Sequence, residues 1–242
     1  MKKITSILYF HLFTFVQLSK YVIPLVLLLF FQIMIYAMAR GGPSDFVSDI
    51  ILAEIFAFVI AVLVGFASTG WIDPITEQLL ILRAKSNIFY YSIHVLFLFV
   101  ISIFISLISV LVPVLFHLLD PGFFQQFTIA YLIQSFLLLL GSSFAGISLG
   151  ALFHSRIIFD KEGALYVGLI SLVAITRHAV VNQFEIFRYV LWLLPNVSAH
   201  HAIIVDSSYF TFFLVGRLFL ISMLYGLAYS FIKVVLLRKR KF

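Results

Sequence analysis

The sequence predicts an all-α, polytopic membrane protein, on three observations. Of its 242 residues, 63% are hydrophobic and only 11% are charged, against about 25% charged in a soluble globular chain. The mean hydropathy is +1.16. The apolar residues are gathered into runs of membrane length, with no ten-residue alternating pattern of the kind a β-barrel shows. Inside lipid every backbone N–H and C=O must be satisfied within the protein, which continuous helices achieve and open sheets do not. The expected architecture is a single domain over residues 1–242 with six transmembrane helices and both termini cytoplasmic.

Composition also excludes function classes. No cysteine is present, which removes disulfides, thiolate metal sites and cysteine nucleophiles. A formal charge of +6 and a pI near 9.6 would point to nucleic acid in a soluble protein. Here the basic residues stand between or after apolar runs and read as topology signals facing anionic lipid, so membrane lipid is an expected partner and nucleic acid is not.

In chain order, residues 4–18 are aromatic and aliphatic with interspersed Thr, Ser, His and Gln, too polar to span and without a small-residue cleavage site. They read as an interfacial helix rather than a cleaved signal peptide. The first span is residues 21–39, with Pro24 in its first turn, and residues 40–45 form a tight turn. The second span, 50–68, carries Glu54 one turn inside its outer end.

Residues 71–91 are the only long stretch between two spans polar enough to leave the bilayer and patterned enough to fold outside it. Asp73 followed by Pro74 reads as a helix start, since the Asp side chain accepts from orphan first-turn N–H groups and Pro fits the first helical position. Glu77 near the start and Arg83 and Lys85 near the end suit the helix dipole. Ile75, Leu79 and Leu82 share one face of this three-turn amphipathic helix, and Ser86-Asn87 offers the cap for the next one. Such a helix, held against the membrane by a span at each end, suits docking to a cytoplasmic partner.

The third span is 93–116, followed by an outer loop with Asp120-Pro121-Gly122. The fourth, 128–153, contains Gly141, Gly146 and Gly150 with Ser142, Ser143 and Ser148, a spacing that lets another helix approach closely. After a charged loop at 154–163, a fifth span starts near Ala164 but loses apolar character at Thr176-Arg177-His178, short of the roughly 20 residues a crossing needs. Residues 176–206, with Asn182, Gln183, Glu185, Arg188 and then Pro195-Asn196, are expected to form a helical hairpin at the outer face. The sixth span is 209–232, and a basic run, 238–241, follows it. Orientation comes from the Lys and Arg residues: Lys2, Lys3, Lys20, Arg83, Lys85, Arg156, Lys161, Lys233 and the 238–241 run lie on one side, and Arg40, Arg177 and Arg188 on the other. The first set faces the cytoplasm.

No G-x-x-x-x-G-K-[ST] motif occurs, so ATP chemistry would have to come from another chain. An intramembrane protease would need Gly141-Ser142-Ser143-Phe144 as nucleophile with His178 and Asn182, but these fall at different depths of different spans, so no enzyme is expected. His200-His201 with Asp206 lacks any HExxH-type spacing, and no metal is expected either. Glu54 and Arg217 are the charges nearest the hydrocarbon and are candidates for an ion pair or a substrate-facing role, although an Arg so close to a span end can snorkel to the headgroups.

Taken together, the interfacial helix before the first span, the D-P-I-T-E-Q-L-L-I-L-R-A-K-S stretch, the small-residue fourth span leading into L-G-A-L-F-H-S, the broken outer segment ending in L-L-P-N and the basic run after the last span resemble the membrane subunit of a type 2 ABC transporter permease of the bacterial exporter class. The resemblance implies a coupling helix at residues 73–86 that docks on a separate ATPase through Asp73, Pro74, Glu77, Arg83 and Ser86. It implies an outer re-entrant hairpin at 176–206, with Glu54, Arg177, Glu185, Arg188 and Arg217 as gate or pathway candidates. It further implies a second permease copy, identical or homologous, ATP and Mg bound only by the partner ATPase, no cofactor in this chain, and a bacterial plasma membrane location. The alternative is a polytopic membrane scaffold or immunity-type binding protein with no transport cycle of its own.

Overall fold

The computed structural model describes residues 2–17, 19, 22–38, 45–124, 126–154, 160–207 and 210–239. Most of the expected turn at 40–45, the centre of the loop at 154–163 and the last three residues of the chain lie outside these. The regular elements among the described residues are helices: α1 (Lys2–Gln17), α2 (Val22–Met38), α3 (Phe46–Ser68), α4 (Pro74–Ala84), α5 (Asn87–Leu119), α6 (Ile129–Gly150), α7 (Asp160–Gln183), a 3-10 turn (Glu185–Phe187), α8 (Arg188–Leu191), α9 (Val197–Ser207) and α10 (Phe212–Lys239).

Five of them are long and apolar enough to cross a membrane: α3, α5, α6, α7 from Glu162 and α10 to Arg238. The chain is therefore a multi-pass membrane protein. Alone, α2 has 17 residues, about 26 Å at 1.5 Å per residue, short of a hydrocarbon core of roughly 30 Å. It reaches the requirement only as a pair with α1, from which it is bent by 71°.

Helix α6 is the centre of the bundle. Every residue from Leu138 to Gly150 is buried, because glycines let α3 and α10 approach its backbone. A Cβ on Gly146 would stand 2.7 Å from the Phe58 carbonyl oxygen, one on Gly150 would collide with the Val62 carbonyl, and one on Gly141 would press on Phe219 and Ser222 at 3.2 Å. The pairs Glu54 with Ser142, Phe58 with Gly146 and Val62 with Gly150 keep one register, so α3 and α6 run in the same direction. Gly141 against Ser222 and Ser148 against Ser230 give α10 that direction too. The close approach expected of the fourth span is thus realised on two sides.

Polar residues within the spans are mostly settled locally. Ser102, Ser106 and Ser109 on α5 donate to carbonyls three or four residues earlier at 2.7–2.9 Å, which removes the cost of placing hydroxyls on a buried face. The same device corrects the expected break at Thr176-Arg177-His178. Thr176 donates to Leu172 O at 2.8 Å and α7 continues unbroken to Gln183. The chain turns back only after that, through the 3-10 turn, α8 and α9. The tip of this hairpin packs inside the bundle: Leu194 and Val197 lie in one apolar cluster with Phe58 and Val62 of α3, Val167 and Ala174 of α7 and Tyr229 of α10.

Candidate functional site

Two buried polar sites lie at different depths of the bundle, one beside the hairpin and one beneath α4.

At the first, Glu54 of α3 is fully buried. Its Oε1 accepts from Ser142 Oγ of α6 and lies 2.7 Å from Nδ1 of His200 on α9. Its Oε2 has no hydrogen-bond partner. The carboxylate therefore ties the returning arm of the hairpin to the central helix pair. Ser142 and His200 both address the carboxylate and not each other, so the arrangement lacks the hydroxyl–imidazole contact that activates a nucleophile. It latches two elements.

The hairpin tip is held by its carbonyls. After α8 ends at Leu191 the chain reaches Pro195, which has no N–H, and the three carbonyls before it find side chains. Tyr225 donates to Trp192 O at 2.5 Å, Tyr229 to Leu193 O at 2.5 Å, and the Arg177 guanidinium to Leu194 O. Ser198 Oγ accepts from the His178 N–H at 3.2 Å. Of the outer residues singled out by sequence, Glu54 and Arg177 are drawn into this site, whereas Glu185, Arg188 and Arg217 are exposed. Glu54 pairs with His200 rather than Arg217. His178 meets Asn182 at 3.1 Å, while Ser143 is buried without a partner. Among the described residues no three His, Asp or Glu side chains converge as a metal site, and the side chains of His201 and Asp206 are outside that set.

The second site begins with α4. Asp73 caps it, accepting from Ile75 N–H at 3.0 Å, Pro74 occupies the first turn, and Lys85 closes it in a left-handed conformation with φ 62°. Ser86 then accepts from Phe89 N–H at 3.4 Å to start α5. Those local readings of the sequence hold. Glu77 differs from the expected surface contact. It is 6% exposed, accepts from Tyr91 Oη at 3.0 Å and lies 3.9 Å from His154 Nε2. With Leu80, Ile81 and Ala84 it anchors α4 to the bundle. Behind it a cavity of about 20 Å³ is lined by Ser68, Thr69, Glu77, His94, His154 and Lys233 among others, room for one water with polar partners. Lys233 Nζ stands 3.1 Å from His94 Nδ1, and the His11 ring of α1 sits 5.1 Å from that of His94.

With one face anchored, α4 turns the other outward. Ile75 is 69% exposed, Leu79 62% and Leu82 72%, and Gln78, Arg83 and Lys85 flank them, also exposed.

The chain matches no protein-family model, no curated protein and no solved structure. What fold and sites define together is a multi-pass, all-helical membrane protein with a capped amphipathic helix outside its spans and a hairpin folded back into them.

Proposed function

We propose that this chain is the permease subunit of an ATP-driven exporter, working with a second permease copy and with separate ATPase subunits that bind ATP and Mg. The observation that carries the reading is the outward apolar face of α4. Three large aliphatic side chains on one face of a helix capped at both ends and anchored by Glu77 form a rigid apolar knob, and such a patch outside the hydrocarbon marks a protein contact. The basic rim of Arg83 and Lys85 steers an acidic partner groove toward it. The α4 side is cytoplasmic by the distribution of Lys and Arg, where ATP is available. The hairpin, which turns back after Gln183, belongs to the opposite side and gates release.

A photoreactive residue in place of Leu79, introduced in native membranes, tests this. The expected product is an adduct with a chain that contains a G-x-x-x-x-G-K-[ST] motif, and Leu82→Asp with Arg83→Ala should abolish both the adduct and the vanadate-sensitive ATPase activity that co-purifies. An adduct only with chains that lack a nucleotide-binding motif would favour the scaffold reading.

A further inference from the structure

A second cavity, of about 300 Å³, lies between α1, α2, α3 and α5, and every side chain that lines it is apolar. It is lined by Val16 of α1, Pro24 and Leu28 of α2, Ile60 of α3 and Ile105 and Ile108 of α5. We propose that it seats one acyl chain of a phospholipid from the surrounding bilayer, wedged between α1 and the spans.

The chemistry of the lining selects this occupant. A polar ligand would lose its hydrogen bonds there, and water does not populate a cavity without polar partners. The volume holds about ten methylene-sized units at ~30 Å³ each, taken as equal to a water's share. From Ile101 to Ile108 the slot follows α5 for about 10 Å, so it fits an unbranched chain better than a ring. The rim residues Val16 and Phe104 are 59% and 54% exposed, so the slot opens sideways. Around Phe104, on a membrane-spanning helix, the medium is hydrocarbon. A chain entering there has only to leave one apolar environment for a closer-packed one, and it gains dispersion contacts with four helices. This inference rests on the spans and is independent of the transporter reading.

The test places the full chain in nanodiscs with a phosphatidylcholine carrying a diazirine in the middle of one acyl chain, followed by irradiation and mapping of adducts by peptide mass spectrometry. Adducts are expected at buried Leu28 and Ile105 as well as at exposed Leu111, whose labelling is the internal reference. Leu28→Trp and, on a different helix, Ile105→Trp fill the slot. Either variant should lower the adducts at the other cavity residues at least fivefold and leave Leu111 unchanged. The unaltered protein alone suffices if neither variant folds, since labelling confined to exposed residues would overturn the proposal. So would adducts obtained with a free diazirine fatty acid but not with the phospholipid.

Discussion

Lys233 of α10 holds its Nζ 3.1 Å from Nδ1 of His94 on α5, with both side chains buried. The amine needs this acceptor, because an unpartnered amine in the interior would carry the full cost of desolvation. It also shares a small cavity with Glu77, the anchor of α4. A helix outside the spans is thus joined to the last span through buried polar groups and not through packing alone.

The first prediction follows from that join. Lys233→Met and Glu77→Gln each leave the other group's charge less compensated, so each destabilises the protein, while the double variant loses less than the sum of the two. A thermal-unfolding double-mutant cycle in detergent should return a coupling of about 1 kcal/mol or more. Strict additivity would show that the two groups act separately.

Glycines divide sharply by what surrounds them. Gly168 and Gly216 have nothing within 4 Å of an added Cβ, so Ala at either should raise stability by about 0.5–1 kcal/mol through helix propensity. Gly150 and Gly65 face backbone carbonyls of the partner helix, and Leu at either should cost upward of about 3 kcal/mol or prevent assembly. Fluorescence-detected size exclusion after a heat step separates the two groups.

A third prediction concerns pH. His11, on α1 and outside the five spans, is held down to about 4 from its ordinary 6.5 by burial first and by the charge of Lys233 second. The unfolded chain takes up a proton near pH 6.5 where the folded one refuses it until about pH 4. Stability is therefore full above 6.5 and falls as pH drops through that window, by about 3 kcal/mol at most. His11→Phe, which keeps the ring contact with Phe97 at 5.4 Å, should flatten this part of the melting-temperature profile between pH 7.5 and 4.5.

Accessibility of single cysteines in this cysteine-free chain checks both sidedness and the hairpin. An impermeant maleimide added to intact cells should label Glu185→Cys and spare Lys85→Cys. It should also spare Asn196→Cys, whose neighbours Pro195 and Val197 are buried. Adding Glu54→Leu removes the His200 latch and should raise labelling at position 196 severalfold. Equal labelling at 185 and 196 in the unaltered background would contradict the buried tip.

Sequence made legible whatever depended on neighbours in the chain. The Asp73-Pro74 start, the Lys85 stop and the Ser86 cap of α5 are local chemistry, and they appear where the residue types put them. The small-residue run of α6 likewise revealed that helices approach it. The partners of isolated polar residues were not legible. Glu77 reads as a surface contact in the sequence, because its partner, Tyr91, lies 14 residues on and within the next helix. Glu54 invited Arg217 as a partner, whereas His200, 146 residues away, reaches it only because the hairpin folds back. Thr176 and Arg177 looked like helix breakers by polarity, yet each finds a carbonyl within the protein, and polarity alone carries no record of that.

The grip of Tyr225 and Tyr229 on adjacent carbonyls has a mechanical corollary. The two tyrosines stand one helical turn apart on α10, so two consecutive carbonyls of the hairpin tip are tied to a single stretch of that helix. Arg177, on α7, holds the next carbonyl, that of Leu194, from a different helix. The hairpin tip is therefore pinned at three consecutive carbonyls by side chains of two helices, and freeing it means breaking hydrogen bonds to both.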